Sequence, residues 1–387
     1  MLNFFAKFFS LVNMTTFVDT SVLLAGTPQA RDQDPVIVVV RSAQGMLREG
    51  LGESESGLFE KNFNEAYEKE EFGTVIDLLL GNAGVVFKKV SSADDMEKVS
   101  KTAEGYFEVT LSLLSKLDSV EAVVSKMDAF VATVLAAPSS VSLLKLKLLT
   151  TLFSSLNPKA QLRLRVIEGL CRLAASDASH KLSPLVFALV KPTADWIDSN
   201  EWDLTDAEKF DIYGLIASVA FSSEKLRYLS LQASVATGDK KPALLETIAI
   251  ESIRDSLIFS FPRPDSLTVA TSKCIAILSS GSFADMERFV ADNGSFLTSH
   301  HIDQSSLLEK MRVLALARQG TSSVTLSHVA ESLKTTDPVA VVVRAIAAGL
   351  VVGSIDEVAG KVHIVATKQY ASSSVESDLK KILTALS

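Results

Sequence analysis

A single change of hydrophobic period constrains this chain more than any other feature. Across residues 326–333 the apolar positions Leu326, Val329, Ala330 and Leu333 recur at helical spacing. Thr335-Thr336-Asp337-Pro338 then reads as a turn. Asp337 suits an N-cap, and Pro338 suits the first helical position, where its missing N–H costs nothing. A second helix follows through Val339, Val342, Val343, Ile346 and Ala347, and Gly349 is placed to end it. Beyond that the spacing becomes extended. Leu350-Val351-Val352 and Ser354-Ile355 are joined through a Gly360-closed loop to Val362-His363-Ile364-Val365, which reads as two strands of a hairpin.

Helix, turn, helix and hairpin is the order of a winged helix, a fold often found on nucleic acid. The charges argue otherwise. Residues 321–370 hold Lys334, Arg344, Lys361 and Lys368 against Glu331, Asp337, Asp356 and Glu357, so no net charge is left to attract phosphate. Tight nucleic-acid binding takes roughly 6–10 phosphate contacts, and the second helix offers only Arg344 among Val, Ile and Ala. It has the composition of a helix buried against its neighbours. A protein-binding module fits better, because a hairpin offers an edge to which another sheet can add.

Upstream of this module the signal is helical. With 387 residues, 47% of them hydrophobic, and only 18 Gly and 10 Pro, the chain has ample core and few breaks. Phe72, Val75, Ile76, Leu79 and Leu80 form one stripe, ended by Gly81-Asn82. Further helices cover residues 96–117, 120–135 and 143–153. Asn157-Pro158 separates the last from a helix through Leu162, Val166, Ile167, Leu170 and Leu173. Thr205 and Glu208 have capping-box spacing and open another helix. More follow over residues 224–237, 242–259, 268–279, 283–291 and 307–317. Residues 36–40 read either as a strand or as the first turns of a buried helix, and residues 50–57 as a flexible acidic loop. Residues 375–386 are amphipathic, with Leu379, Ile382, Leu383 and Leu386 on one side.

The fold class expected is mainly α: an irregular α-solenoid of antiparallel helices ending in a winged helix and a C-terminal helix. The divisions expected are an extension over residues 1–13, a helical array over 14–200, a second domain over 201–370 (helical over 201–320, winged over 321–370), and a terminal helix over 371–387. Residues 1–13 are too short and broken to span a membrane, and Met14 is a plausible second start.

No chemistry is visible. There is no phosphate-binding glycine loop, dinucleotide fingerprint, nucleophile elbow or His-Glu-x-x-His, so the expectation is no enzyme, no catalytic residues, no cofactor and no metal. Cys171 and Cys274 stand alone in apolar helices, which fits a reducing, intracellular compartment. His300-His301 lacks metal-ligand geometry, and His328 and His363 read as surface or satisfied residues. Arg163, Arg165, Lys145, Lys147 and Lys159 form the densest basic cluster, read as a solvated, salt-bridged face rather than an RNA contact. The formal charge of −8 argues against a general nucleic-acid binder.

A helical array closed by a winged helix resembles the PCI domain, a module of the proteasome lid, the COP-nine signalosome and translation initiation factor 3. The stretch from Arg344-Ala345-Ile346 through Gly349-Leu350-Val351-Val352-Gly353-Ser354-Ile355-Asp356 is similar to that family's signature, with Ser354 where Lys is common. Leu146-Lys147-Leu148-Leu149-Thr150-Thr151-Leu152-Phe153, Trp196-Ile197 with Trp202-Asp203-Leu204-Thr205, and Lys310-Met311-Arg312-Val313-Leu314 resemble segments of the subunit m family of eukaryotic translation initiation factor 3. Phe17-Val18-Asp19 after Met14 resembles that family's start.

The resemblance implies a cytoplasmic scaffold subunit, partnered with other PCI and MPN subunits and, through them, with the small ribosomal subunit in recruiting mRNA and initiator tRNA. It implies no membrane and no sequence-specific DNA. Carried onto this sequence, the interface strands hold Val351, Val352, Ile355, Val362 and Ile364. The terminal helix, with Leu379, Ile382, Leu383 and Leu386, joins a bundle shared with other subunits. Val362→Lys is then expected to leave the monomer folded and to weaken incorporation. Deleting residues 375–387 is expected to loosen bundle docking more than it lowers Tm. The alternative is a PCI subunit of the signalosome (its subunit seven group) or of the proteasome lid.

Overall fold

A computed structural model describes residues 35–93, 96–156, 162–199, 202–262, 266–320 and 322–367. The expected extension of residues 1–13 and the C-terminal helix bearing Leu379, Ile382, Leu383 and Leu386 lie outside them. The chain forms two compact units, one reaching to Leu204 and the other starting at Thr205, and it is mainly helical.

Among the described residues the first unit contains helices and no strand. In α1 (Pro35–Leu51), Val39, Val40, Ala43, Met46 and Leu47 are buried at helical spacing, which decides residues 36–40 in favour of helix. The acidic loop expected over residues 50–57 is a correction. Only Gly52, at φ 86°, breaks the chain, and α2 (Glu53–Glu68) starts at once. Glu53 and Glu55 occupy its first turn, where carboxylates favour the positive end of the helix dipole. α3 (Phe72–Ser91) likewise runs past the stop expected at Gly81-Asn82. Ala83, Val86, Phe87 and Val90 extend its buried stripe, and that burial outweighs the roughly 1 kcal/mol cost of a helical glycine.

Next come α4 (Met96–Leu114), α5 (Val120–Ala136), α6 (Ser142–Ser155), α7 (Arg163–Ala175), α8 (Ser183–Val190) and α9 (Thr193–Asp198). From α3 to α7 each helix touches the next and the next but one: α1, α3, α5 and α7 form one row, α4 and α6 a second. Ion pairs bridge steps of these rows: Glu49 with Lys89, Asp77 with Lys126 at 2.6 Å, Asp128 with Arg165 at 2.9 Å, and Glu104 with Lys147. This two-row stacking is the local geometry of an α-solenoid. Phe107 fastens the rows, stacking on Phe87 at 4.7 Å and meeting Phe130 edge-on at 6.1 Å.

The second unit opens with the capping box read from the sequence. The Thr205 hydroxyl accepts from the Glu208 N–H at 3.3 Å, and the Glu208 carboxylate accepts from the Thr205 N–H at 2.8 Å. The helices are α10 (Asp206–Val219), α11 (Ser222–Val235), α12 (Lys240–Arg254), α13 (Val269–Ser280), α14 (Phe283–Asp292), α15 (Gly294–Ser299) and α16 (Gln304–Ala317). Then follow β1 (Ser322–Thr325), α17 (Leu326–Ser332), α18 (Pro338–Ala347), β2 (Val351–Asp356) and β3 (Lys361–Thr367). One apolar cluster runs from Ala249 of α12 to Ile364 of β3, so the helices from α12 onward share a core with the sheet.

Both ends of α18 are built as its sequence dictates. The Asp337 carboxylate accepts from the Ala340 N–H at 2.9 Å. At the other end Gly349 takes φ 67°, its N–H bonds Ile346 O at 2.9 Å, and the Leu350 N–H bonds Ala345 O at 3.0 Å. That is a Schellman motif, whose left-handed residue favours glycine.

Candidate protein interface

The three strands pair antiparallel in the order β1-β3-β2. β1 is the strand that the sequence reading missed: Ser322-Ser323-Val324-Thr325 is short and polar, and its pairing with β3 creates it. Its presence moves β3 to the centre. Over Lys361–Ile364 both edges of β3 are filled, so this half of the strand is interior, and the outer edges of the sheet belong to β1 and β2.

The residues named from the sequence therefore divide. Val351, Val362 and Ile364 are buried in the shared core, and Ile355 is half-buried against it. Val352, on the open strand, is 60% exposed. Val362 sits between Val324 of β1 and Ile355 of β2, so a lysine there would be driven into the core. The expectation of a folded Val362→Lys monomer does not suit this position. A bulge separates Val352 from Gly353: Val352 faces Ala366 and Gly353 faces Ile364, leaving Val365 as the extra residue on β3. A Cβ at Gly353 would lie 2.3 Å from His363 O, so only glycine allows this close approach.

α18, expected to be buried against its neighbours, is so along one face. Val341, Val342 and Ala345 face the core, while Val343 is 51% exposed and Ala347 and Arg344 are also outward. The helix thus presents an apolar face with one cation, and that cation is engaged: Arg344 bonds Glu309 of α16 at 2.8 Å. Lys334 likewise pairs with Glu287 at 2.7 Å. A groove-reading helix needs free donors, whereas a neutral apolar face suits a protein surface.

A few of the remaining basic side chains point inward. In the cluster read as a solvated face, Arg165 and Lys147 do make ion pairs, but Lys145 and Arg163 are buried, and Lys159 lies outside the described residues. Lys145 donates to Ala137 O at 2.5 Å, just past the end of α5. Arg163 donates to Leu156 O at 2.7 Å, just past α6, with its guanidinium over the Phe153 ring.

α16 and Arg318, the residue that caps it, repeat the device three times. Lys310, 2% exposed, donates to Ser252 O and Asp255 O, each at 2.6 Å, and so stops α12 at Arg254 rather than at the expected Phe259. Arg312 donates to Leu333 O at 2.9 Å, at the end of α17. Arg318 donates to Gly281 O at 2.6 Å and to Leu278 O, at the end of α13. In each case a cation meets the unpaired carbonyls and negative dipole of a helix C-terminus. Burial pushes the Lys310 ammonium down to about 7, with Asp255 and Cys274 acting in the opposite sense.

Neither cysteine is poised to react: burial pushes the thiols of Cys171 and Cys274 up to about 12. Among the described residues no group of three His, Cys, Asp or Glu side chains is placed to hold a metal ion. His300 packs its ring against Phe296, and His301 sits in a turn at φ 52°. His328 and His363 are exposed in the terminal module. No single helix among the described residues is long and apolar enough to cross a membrane.

Over 258 residues the chain is 28% identical to eukaryotic translation initiation factor 3 subunit M of Dictyostelium discoideum. The chain resembles subunit M. The match covers 60% of this chain and 60% of the Dictyostelium protein, so less than two thirds of subunit M is represented. No family model matches the chain. The resemblance drawn from short segments thus extends to a long alignment with subunit M, although most aligned positions differ.

Proposed function

We propose that this chain is a non-catalytic scaffold subunit of a translation initiation factor 3 assembly in the cytoplasm, supporting the recruitment of mRNA and initiator tRNA to the small ribosomal subunit. The likeness to subunit M carries this reading. The second unit fits it as a PCI domain, with α17, α18 and the sheet as its winged helix. Its partners are then other PCI and MPN subunits, met through the open edge of β2, where Val352 is exposed, and through a C-terminal helix in a shared bundle. The neutral, ion-paired surface of α18 supports contact with protein rather than direct reading of nucleic acid.

Affinity purification of the tagged chain from its own cells, followed by mass spectrometry of intact complexes, tests the proposal. Co-purification of initiation factor 3 subunits with small-subunit ribosomal proteins is the expected result. Recovery with signalosome or proteasome lid subunits instead would overturn the function and leave the fold unaffected.

A further inference from the structure

The ammonium of Lys310 is walled in. Ser252 O and Asp255 O accept from it at 2.6 Å, and Ile253 O lies at 3.5 Å. Two rings complete the enclosure, Phe261 at 4.9 Å and Phe259 at 5.7 Å. Carbonyls at a helix end and ring faces attract a cation. Among the described residues, however, its acceptors are all backbone carbonyls, with no carboxylate to pair the charge. The titratable groups facing it are the Asp255 carboxylate, at the end of α12, and the Cys274 thiol on α13. Asp255 is turned to the Leu257 N–H, from which it accepts at 2.8 Å. On α14 and α18, which also pack on α16, Asp285 pairs with Arg288, Glu287 with Lys334, and Arg344 with Glu309.

Both rings belong to residues 255–262, which are neither helix nor strand. The backbone turns once there, with the Ile258 N–H donating to Asp255 O at 3.3 Å. Beyond that turn Phe259 and Phe261 hold the stretch by packing on the core. Burial outweighs the attraction of carbonyls and rings, because it pushes the ammonium down to about 7. A buried cation without a counter-ion gains by reaching water. The other walls are the helices α12, α13 and α16, so lifting this short irregular stretch admits water with the least disruption.

We propose that residues 255–262 form a proton-gated flap: protonated Lys310 favours lifting of Phe259 and Phe261, and the neutral amine favours the seated rings. Lifting hydrates the lysine and returns it toward its ordinary 10.5, so between pH 7 and pH 10 the lifted state holds more protons than the seated one. The lifted fraction therefore falls about ten-fold per pH unit across that range and levels off below it. One proton on one side chain thus reaches the core that the helices share with the sheet.

Hydrogen–deuterium exchange of the full-length chain at pH 7 and pH 9, with each rate divided by that of coil, tests the flap. Amides 257–261 are expected to be protected, to exchange faster than those of α13, and to gain about ten-fold or more in protection at pH 9. Lys310→Met should lose that gain. Phe261→Ala should lower protection at both pH values and keep the gain. Equal protection at the two pH values in the wild type would overturn the proposal, as would a gain that survives in Lys310→Met. Rates no faster than those of α13 would make the opening global and overturn the flap as well.

Discussion

In the first unit the large exposed apolar residues among those described are Leu58, Leu143 and Leu185, each on a different helix, and neighbouring helices are laced by ion pairs. In the second unit the chain closes with a sheet that has two open edges, and Val343, Val352, Val358 and Val365 stand exposed within that one module. Burial alone does not separate the two, since both have well-filled cores. They differ in unsatisfied backbone. A helix bonds most of its own backbone and leaves partners wanting only at its two ends, whereas an edge strand presents a row of unpaired groups along its length. The proposed interface is the part of the molecule whose sheet hydrogen bonding is unfinished.

Four substitutions test that contrast, from the largest expected effect on stability to the smallest. Val362→Lys places a charge where no water reaches, between β1 and β2. It should destabilise the second unit by about 3 kcal/mol or more, seen as a lowered urea midpoint; an unchanged midpoint would mean that β3 is not central.

Lys310→Met leaves the Ser252 and Asp255 carbonyls without their donor, and about 2 kcal/mol should be lost. Its pH dependence has a definite sign. The folded value of about 7 lies below the ordinary 10.5, so between them the unfolded chain binds more protons and the wild type gains stability as pH rises. The wild-type advantage over Lys310→Met should therefore grow between pH 7 and pH 10. Urea titrations at the two ends check it; a shrinking advantage would contradict the buried ammonium.

Asp128→Asn removes one exposed rung of the first unit's ladder and should cost under about 1 kcal/mol, less at high salt. A calorimetric comparison at 0.05 and 1 M NaCl measures it. Val352→Lys should change stability by no more than about 0.5 kcal/mol while reducing co-purification of partner subunits several-fold. Full incorporation of this variant would move the contact to β1 or α18.

Local signals were legible wherever the sequence carries both halves of a bond. Thr205 with Glu208, and Asp337-Pro338 with Gly349, fix helix ends within a few residues, and each is found as read. Signals were misread where a distant partner decides. Gly81-Asn82 looks like a stop until four buried residues beyond it outweigh the glycine. β1 has almost no intrinsic strand signal and exists because β3 pairs with it, and missing it misplaced Val362 and Ile364 at an edge. Arg163 and Lys145 looked like ordinary surface charge because their acceptors are backbone carbonyls of other segments, and the same holds for the inward roles of Lys310 and Arg318, which no local pattern announces.

Those inward cations change how the molecule looks from a distance. The formal count of −8 includes Lys145, Arg163 and Lys310, whose charges are turned onto helix ends under protein. Their field is largely absorbed by the dipoles they face, while most carboxylates remain at the surface. An approaching polyanion such as ribosomal RNA therefore meets a more repulsive molecule than the composition suggests. Contact with RNA would depend on attraction supplied by another molecule.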